Sequence, residues 1–196
     1  MKLAHWREIV NDGYDASVLA AVQQDITNAI TAVVWPLGSG VFRIYPQSGK
    51  KSGEGNGVKP MKTAFIAHLV SRGWVPEHEL FDAHYTFPGG QPAPFAVEWE
   101  TGNVSSSHRA INRMAKGMIE GRISGGVLVL PTRKLAQYLT DRIGNAEELE
   151  GYEALWSRWQ ELGGDVGYLA VVGVEHDATD LAVPRIPKGT DGRAAR

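Results

Sequence analysis

The stretch PFAVEWETGN, residues 94–103, decides how this chain is read. Its apolar content is that of a buried strand, yet it carries two glutamates two positions apart. Side chains on a strand alternate between faces, so Phe95, Val97 and Trp99 share one face while Glu98 and Glu100 share the other. Like charges held side by side next to the most hydrophobic residues of a segment repel each other, and that arrangement asks for a compensating cation.

The preceding residues supply a partner strand. LFDAHYTF (80–87) and PFAVEWET (94–101) flank the turn sequence PGGQPA, which is a hairpin pattern. A turn centred on Gly90 sets Asp82 directly opposite Glu98, on the face that also carries Glu100. Opposed Cβ atoms in such a ladder lie about 5 Å apart, and same-face neighbours along a strand about 7 Å. Three carboxylates are then expected within reach of one or two metal ions. Hard divalent cations such as Mg²⁺ take oxygen ligands and keep waters for a phosphate. The plain alternative is a solvated sheet face, where most Glu-x-Glu pairs lie. Against it stand the core-like strand, the opposed third acid, and the basic, Ser/Asn-rich segment that follows.

The remaining elements place this hairpin in one α/β domain with a mixed sheet. DASVLAAVQQDITNAITAVVW reads as a helix capped by Asp15 or Ser17, with Leu19, Val22, Ile26 and Ile30 at helical spacing. A Gly-rich loop follows, with a short strand at VFRIYP. KPMKTAFIAHLVSRGW is a second helix, opened by Pro60, stopped by Gly73 and buried through Met61, Phe65 and Leu69. SSSHRAINRMAKGMIEGR is a serine-capped helix ending at Gly121, and GGVLVLP is a strand apolar enough to be covered on both faces. RKLAQYLTDRIG and NAEELEGYEALWSRWQELGG are expected to be helical, and VGYLAVVGVEHD is the last strand. The domain is expected to span residues 1–182, with 183–196 a flexible basic tail.

Composition narrows the function classes. The 196 residues include no cysteine, which excludes disulfides, thiol catalysis and thiolate metal sites. No apolar run is long enough to span a bilayer, and the first residues lack a signal-peptide core, so a cytoplasmic location is expected. Net charge is −2, but it is unevenly spread. Residues 41–72 hold six Lys/Arg against Glu54, and residues 101–140 another six against Glu120. Two basic stretches flank an acidic one, the order expected where a polyanion is held over an acidic metal site.

An acid in one strand, a hairpin, then E-x-E in the next resembles the catalytic core of the PD-(D/E)XK nucleases. The acidic third position is similar to the BglII/BamHI group of type II restriction endonucleases. NGVKPMKTAFIAHLVSRGW, VEWETGNVSSSHRAINRM and GGVLVLP extend the likeness over roughly residues 55–175. The resemblance implies a restriction-endonuclease-like α/β core, a central mixed sheet with the catalytic hairpin flanked by helices. It implies Mg²⁺ held by Asp82 and Glu98, with Glu100 in the third position that is usually lysine. A glutamate there lacks the lysine's positive charge and would orient or deprotonate the attacking water, or bind a second metal. The substrate implied is double-stranded DNA, the assembly a homodimer, and a separately encoded DNA methyltransferase would protect the host. For a fourth active-site residue, His68, Glu77 and Glu79 are candidates. The hairpin loop is longer and richer in Pro and Gly than the resemblance leads one to expect.

Several other residues carry two readings each. Arg109, Arg113 and Lys116 share a helix face and either hold phosphates or form its solvated side. Asn103 reads a base or shapes the turn; Ser105, Ser106 and Ser107 cap the helix or bind phosphate at its N-terminus. His108 and His84 are candidates for catalysis, and His108 also for DNA contact, or both are ordinary structural histidines. Lys59 and Lys62 contact DNA or are a solvated helix start. Trp156 and Trp159 belong to the core, a base-stacking platform or a dimer interface. Competing functions are a non-catalytic DNA-binding module, a structure-specific repair or junction nuclease and, remotely, a glycosidase. The acidic trio weighs against the first, since a binder gains affinity by losing negative charge near phosphate.

Overall fold

The computed structural model describes residues 1–47, 55–78, 81–90, 92–140, 143–158 and 167–188. Its centre is a six-stranded mixed sheet in the order β1-β7-β6-β5-β4-β3. The strands are β1 (Lys2–Asn11), β3 (Val75–His78), β4 (Phe81–Tyr85), β5 (Phe95–Trp99), β6 (Gly125–Pro131) and β7 (Tyr168–Glu175). β5, β6 and β7 run parallel, and β4, β3 and β1 add antiparallel strands at the two sides. A separate parallel pair joins β2 (Arg43–Ile44) to β8 (Ala178–Thr179).

Each face of the sheet is covered by helices with a matching apolar stripe. On one face α1 (Ala16–Ala32) and α2 (Lys59–Ser71) pack Leu19, Ile26, Phe65 and Leu69 against Val97, Trp99, Val127 and Val129. On the other, α3 (Val104–Ile119) packs Ala110, Ile111 and Met114 against Ala96, Leu128 and Leu130. Burial on both sides explains why β6 has no polar residue.

The hairpin register agrees with a turn centred on Gly90: Ala83 pairs with Val97, His84 with Ala96 and Tyr85 with Phe95. Asp15 caps α1, accepting from Ser17 N at 2.8 Å and Val18 N at 3.0 Å. Gly73 and Gly121 stop α2 and α3 in left-handed conformations that favour glycine. The cap of α3, expected from serine, is Asn103, whose Oδ1 accepts from Ser106 N at 3.1 Å.

Other expectations are corrected. Of the long helix expected over 145–164, the described residues form a 3-10 segment (Ala146–Tyr152) followed by a short helix, α5 (Glu153–Trp156), and residues 159–164 lie outside the described residues. Gly151 near its end weakens an α-helix by about 1 kcal/mol relative to alanine, and buried Ala146 and Leu149 hold the tighter turn in place. Among the described residues of RKLAQYLTDRIG, the one helix is α4 (Arg133–Ala136). The tail expected to be free from residue 183 is packed at first: Val183 and Ile186 are buried, and Gly57 N donates to Ile186 O at 2.8 Å. Residues 189–196 lie outside the described residues, as do residues 48–54, Glu79 and Trp159.

Candidate active site

The acids come together at the end of the hairpin. One step beyond the Ala83–Val97 pair, the Asp82 carboxylate takes a bond that backbone would otherwise make: Trp99 N donates to Asp82 Oδ2 at 2.8 Å. That bond orients Asp82 and leaves its Oδ1 facing Lys62, whose Nζ lies 2.6 Å away. Glu98 points to the α3 side with Ala96, and Arg113 of α3 reaches it, Nη2 to Oε1 at 2.5 Å. Each carboxylate is thus met by a cation from a helix on a different face of the sheet.

Glu98 is the unusual group. It is 8 % exposed, and its Oε2 is buried with no hydrogen-bond partner. Burial, reinforced by the negative charge of Asp82, pushes its carboxyl up to about 7 against the pull of Arg113 and Lys62. Glu100 makes the smallest contribution to that rise. Its N–H continues the ladder to Val129 O at 2.9 Å, but its Oε1 accepts from Gly102 N at 2.5 Å. Gly102 permits this contact, since a Cβ there would lie 2.8 Å from Glu100 Oε1. The expected convergence of three carboxylates is therefore met by two, with Glu100 turned into the following loop. Among the described residues, no group of three or more His, Asp or Glu side chains is placed to hold a metal ion. The donor set still suits a hard divalent ion, because an orphaned buried oxygen and a destabilised negative pair are both relieved by a dication.

The remaining candidates fall into separate places. Lys62 and Arg113, expected on outer helix faces, are engaged with the acids, whereas Lys116 pairs with Glu120 at 3.6 Å. The sequence signal for these two contacts was only helical spacing, which does not say which neighbour a side chain meets. Lys59, Asn103, Ser105 and Arg109 are exposed, and Arg109 donates to Ser106 Oγ at 2.8 Å. Asn103 and Ser105 line a cavity of about 510 Å³ with Arg133, Gln137, Thr140 and Asn145, tied to the site loop by Gly144 N donating to Gly102 O at 2.8 Å. His108 packs edge-on against Tyr152 and Trp156, at 4.5 and 5.6 Å between centroids, with Trp156 in the core. His84 is buried within β4. Of the fourth-residue candidates, Glu77 lies on β3 at a positive φ of 49° and His68 on α2, where its carbonyl accepts from Ser71 Oγ.

Comparisons with known proteins agree with this architecture. Residues 1–193 match the model of the restriction endonuclease BamHI family. The chain is 44 % identical over 203 residues to the type II restriction enzyme OkrAI of Oceanobacter kriegii, covering all of both chains. It is 30 % identical over 186 residues to the type II restriction enzyme BamHI of Bacillus amyloliquefaciens, covering 88 % of this chain and 82 % of that one. A crystal structure of restriction endonuclease BglII complexed with a DNA 16-mer superposes with a TM-score of 0.55 at 11 % identity, covering 95 % of this chain and 88 % of that chain.

Proposed function

Because this chain belongs to the BamHI family of restriction endonucleases, we propose that it hydrolyses phosphodiester bonds of double-stranded DNA at a specific site in a Mg²⁺-dependent reaction centred on Asp82, Glu98 and Glu100. The observation that carries this reading is Glu98: a buried carboxylate with an orphaned oxygen beside a second carboxylate, a cost that metal binding recovers. Asp82 and Glu98 would hold Mg²⁺, which when bound neutralises phosphate charge and acidifies water.

The chain's own groups do the rest. The Trp99 N–H fixes the Asp82 carboxylate, and Arg113 fixes Glu98. Glu100, near enough to Glu98 for its charge to be felt there and bonded to the Gly102 backbone, orients the attacking water and takes its proton. The water's oxygen bonds to phosphorus in line as the bond to the 3′ oxygen breaks, and solvent protonates that oxygen. Lys59, Asn103, Ser105, His108 and Arg109 are proposed as DNA contacts, together with Lys62 and Arg113 where phosphate approaches the acids. Asn103 and Ser105 open the polar cavity beside α3, which suits reading a base edge. Cutting both strands of a symmetric site calls for a homodimer, and Tyr152 and Leu155, 46 % and 60 % exposed next to α3, are an apolar surface suited to it. A companion methyltransferase and a cytoplasmic location follow from the same reading; among the described residues no helix is long and apolar enough to cross a membrane.

Incubation of the protein with unmethylated plasmid and phage DNA, in Mg²⁺ and in EDTA, tests this directly. Discrete Mg²⁺-dependent fragments sharing one end sequence are expected, and they name the site. Asp82→Ala and Glu98→Ala should abolish cleavage while DNA binding survives or tightens. Cleavage that persists in either variant would overturn the site assignment.

A further inference from the structure

Resting on that reading, we propose that Lys62 is the resident cation of the acidic site, seated on Asp82 Oδ1 in the metal-free enzyme and transferred to a substrate phosphate when a divalent ion takes that oxygen. Asp82 offers two oxygens, and Trp99 N already holds Oδ2. The remaining oxygen is the one that Lys62 covers, at 2.6 Å. A metal ligated by Asp82 Oδ1 would meet the Lys62 ammonium on the same oxygen, where the two cations repel each other.

Charge accounting leads to the same residue. Asp82 and Glu98 are balanced in this structure by Lys62 and Arg113. A dication entering between the two acids supplies both charges itself, and the side chain that yields is the one less firmly held. Arg113 is the less able to leave: its guanidinium is 5.9 Å from the Phe81 ring, and its side chain is 30 % exposed. Lys62 is 44 % exposed on a flexible stem, while the Met61 beside it anchors α2 in the core. The new anion present in the catalytic complex is the phosphate, so the displaced ammonium goes there. Lys62 then serves, from a different element, the charge role that a glutamate at position 100 does not fill.

Ca²⁺ binding to the DNA-free protein, followed by calorimetry, tests the competition without reference to cleavage. Lys62→Met removes the competitor and should bind Ca²⁺ roughly tenfold more tightly than wild type, the effect of one neighbouring unit charge; Lys62→Gln should do the same. Lys62→Arg, which keeps a cation on Asp82, should stay near wild type. In EDTA, Lys62→Met should melt at a lower temperature than Lys62→Arg, and saturating Ca²⁺ should close the gap. Asp82→Asn serves as the control. If it binds Ca²⁺ as wild type does, the metal assignment fails and this inference with it. If Asp82→Asn loses Ca²⁺ but Lys62→Met and Lys62→Gln bind it no more tightly than wild type, the assignment stands and the role given to Lys62 is overturned.

Discussion

Replacing Glu98 by glutamine should stabilise the metal-free protein, and by an amount that depends on pH. In the unfolded chain this carboxyl titrates near 4.5; in the fold, burial and the Asp82 charge raise it to about 7. Between those values the native state keeps a proton that the unfolded state has released, so stability falls as pH rises from about 4.5 to about 7. The full rise, at about 1.4 kcal/mol per pH unit, corresponds to roughly 3 kcal/mol lost above pH 7. Glutamine is close to isosteric, and its amide oxygen still accepts from Arg113, but a neutral acceptor leaves that guanidinium less well paired. A net gain of about 1–3 kcal/mol at pH 8 is therefore expected for Glu98→Gln, shrinking to near zero at about pH 4.5. Urea denaturation of both proteins in EDTA across this range measures it. Mg²⁺ should then stabilise the wild type and leave Glu98→Gln almost unchanged. A stability difference that is flat with pH, or a variant less stable than wild type at pH 8, would refute the reasoning.

Three further outcomes follow from single contacts. Gly102→Ala places a Cβ 2.8 Å from Glu100 Oε1 and 3.0 Å from Ser106 Oγ, so kcat should fall by about tenfold or more while stability changes by about 1 kcal/mol; equal losses in both would mean the loop is only structural. Asn56 is fully buried and joins Tyr45 O, Tyr138 O and Ile186 N. Asn56→Ala should cost about 2–4 kcal/mol in urea denaturation and speed hydrogen exchange across residues 183–188. Arg113 opposes the upward shift of Glu98, so Arg113→Met should move the acid limb of the cleavage profile to higher pH, because metal binding needs the ionised carboxylate.

The parts of the fold that could be read from sequence are those where one pattern has one structural solution. A Pro/Gly turn between two apolar runs sets the register about Gly90, seen in the Ala83–Val97, His84–Ala96 and Tyr85–Phe95 pairs, and the paired ladder ends there, short of the expected opposition of Asp82 and Glu98. GGVLVLP admits no solvent face, so it had to be an interior strand. β1 escaped notice because it is a half-solvated edge whose pairing slips between Leu3 and His5 and again between Glu8 and Val10, which erases the two-residue alternation. β3 is short, contains Pro76 and holds Glu77 at positive φ, all features that argue against a strand except at an edge. The segment after Asn145 has helical spacing, and spacing alone does not separate a 3-10 turn from an α-helix when a glycine interrupts it.

The acidic residues stand out in the sequence and the cations that meet them in the structure do not, and the asymmetry has a physical origin. A strand's two-residue period states outright that Glu98 lies on the face opposite Val97, so a misplaced charge stands out against apolar neighbours. A lysine or arginine on a helix departs from no such expectation. Lys62 and Arg113 sit where a solvated face and an inward-reaching side chain have the same spacing, and long stems let the charged ends travel several ångströms from the backbone. Only packing decides between the two, and it brings one cation from each face of the sheet to the paired carboxylates. Neither cation reaches the orphaned Oε2 of Glu98. The site is thus held together with the two carboxylates matched by two cations but with one buried oxygen left unsatisfied, which is the feature that no sequence pattern announces.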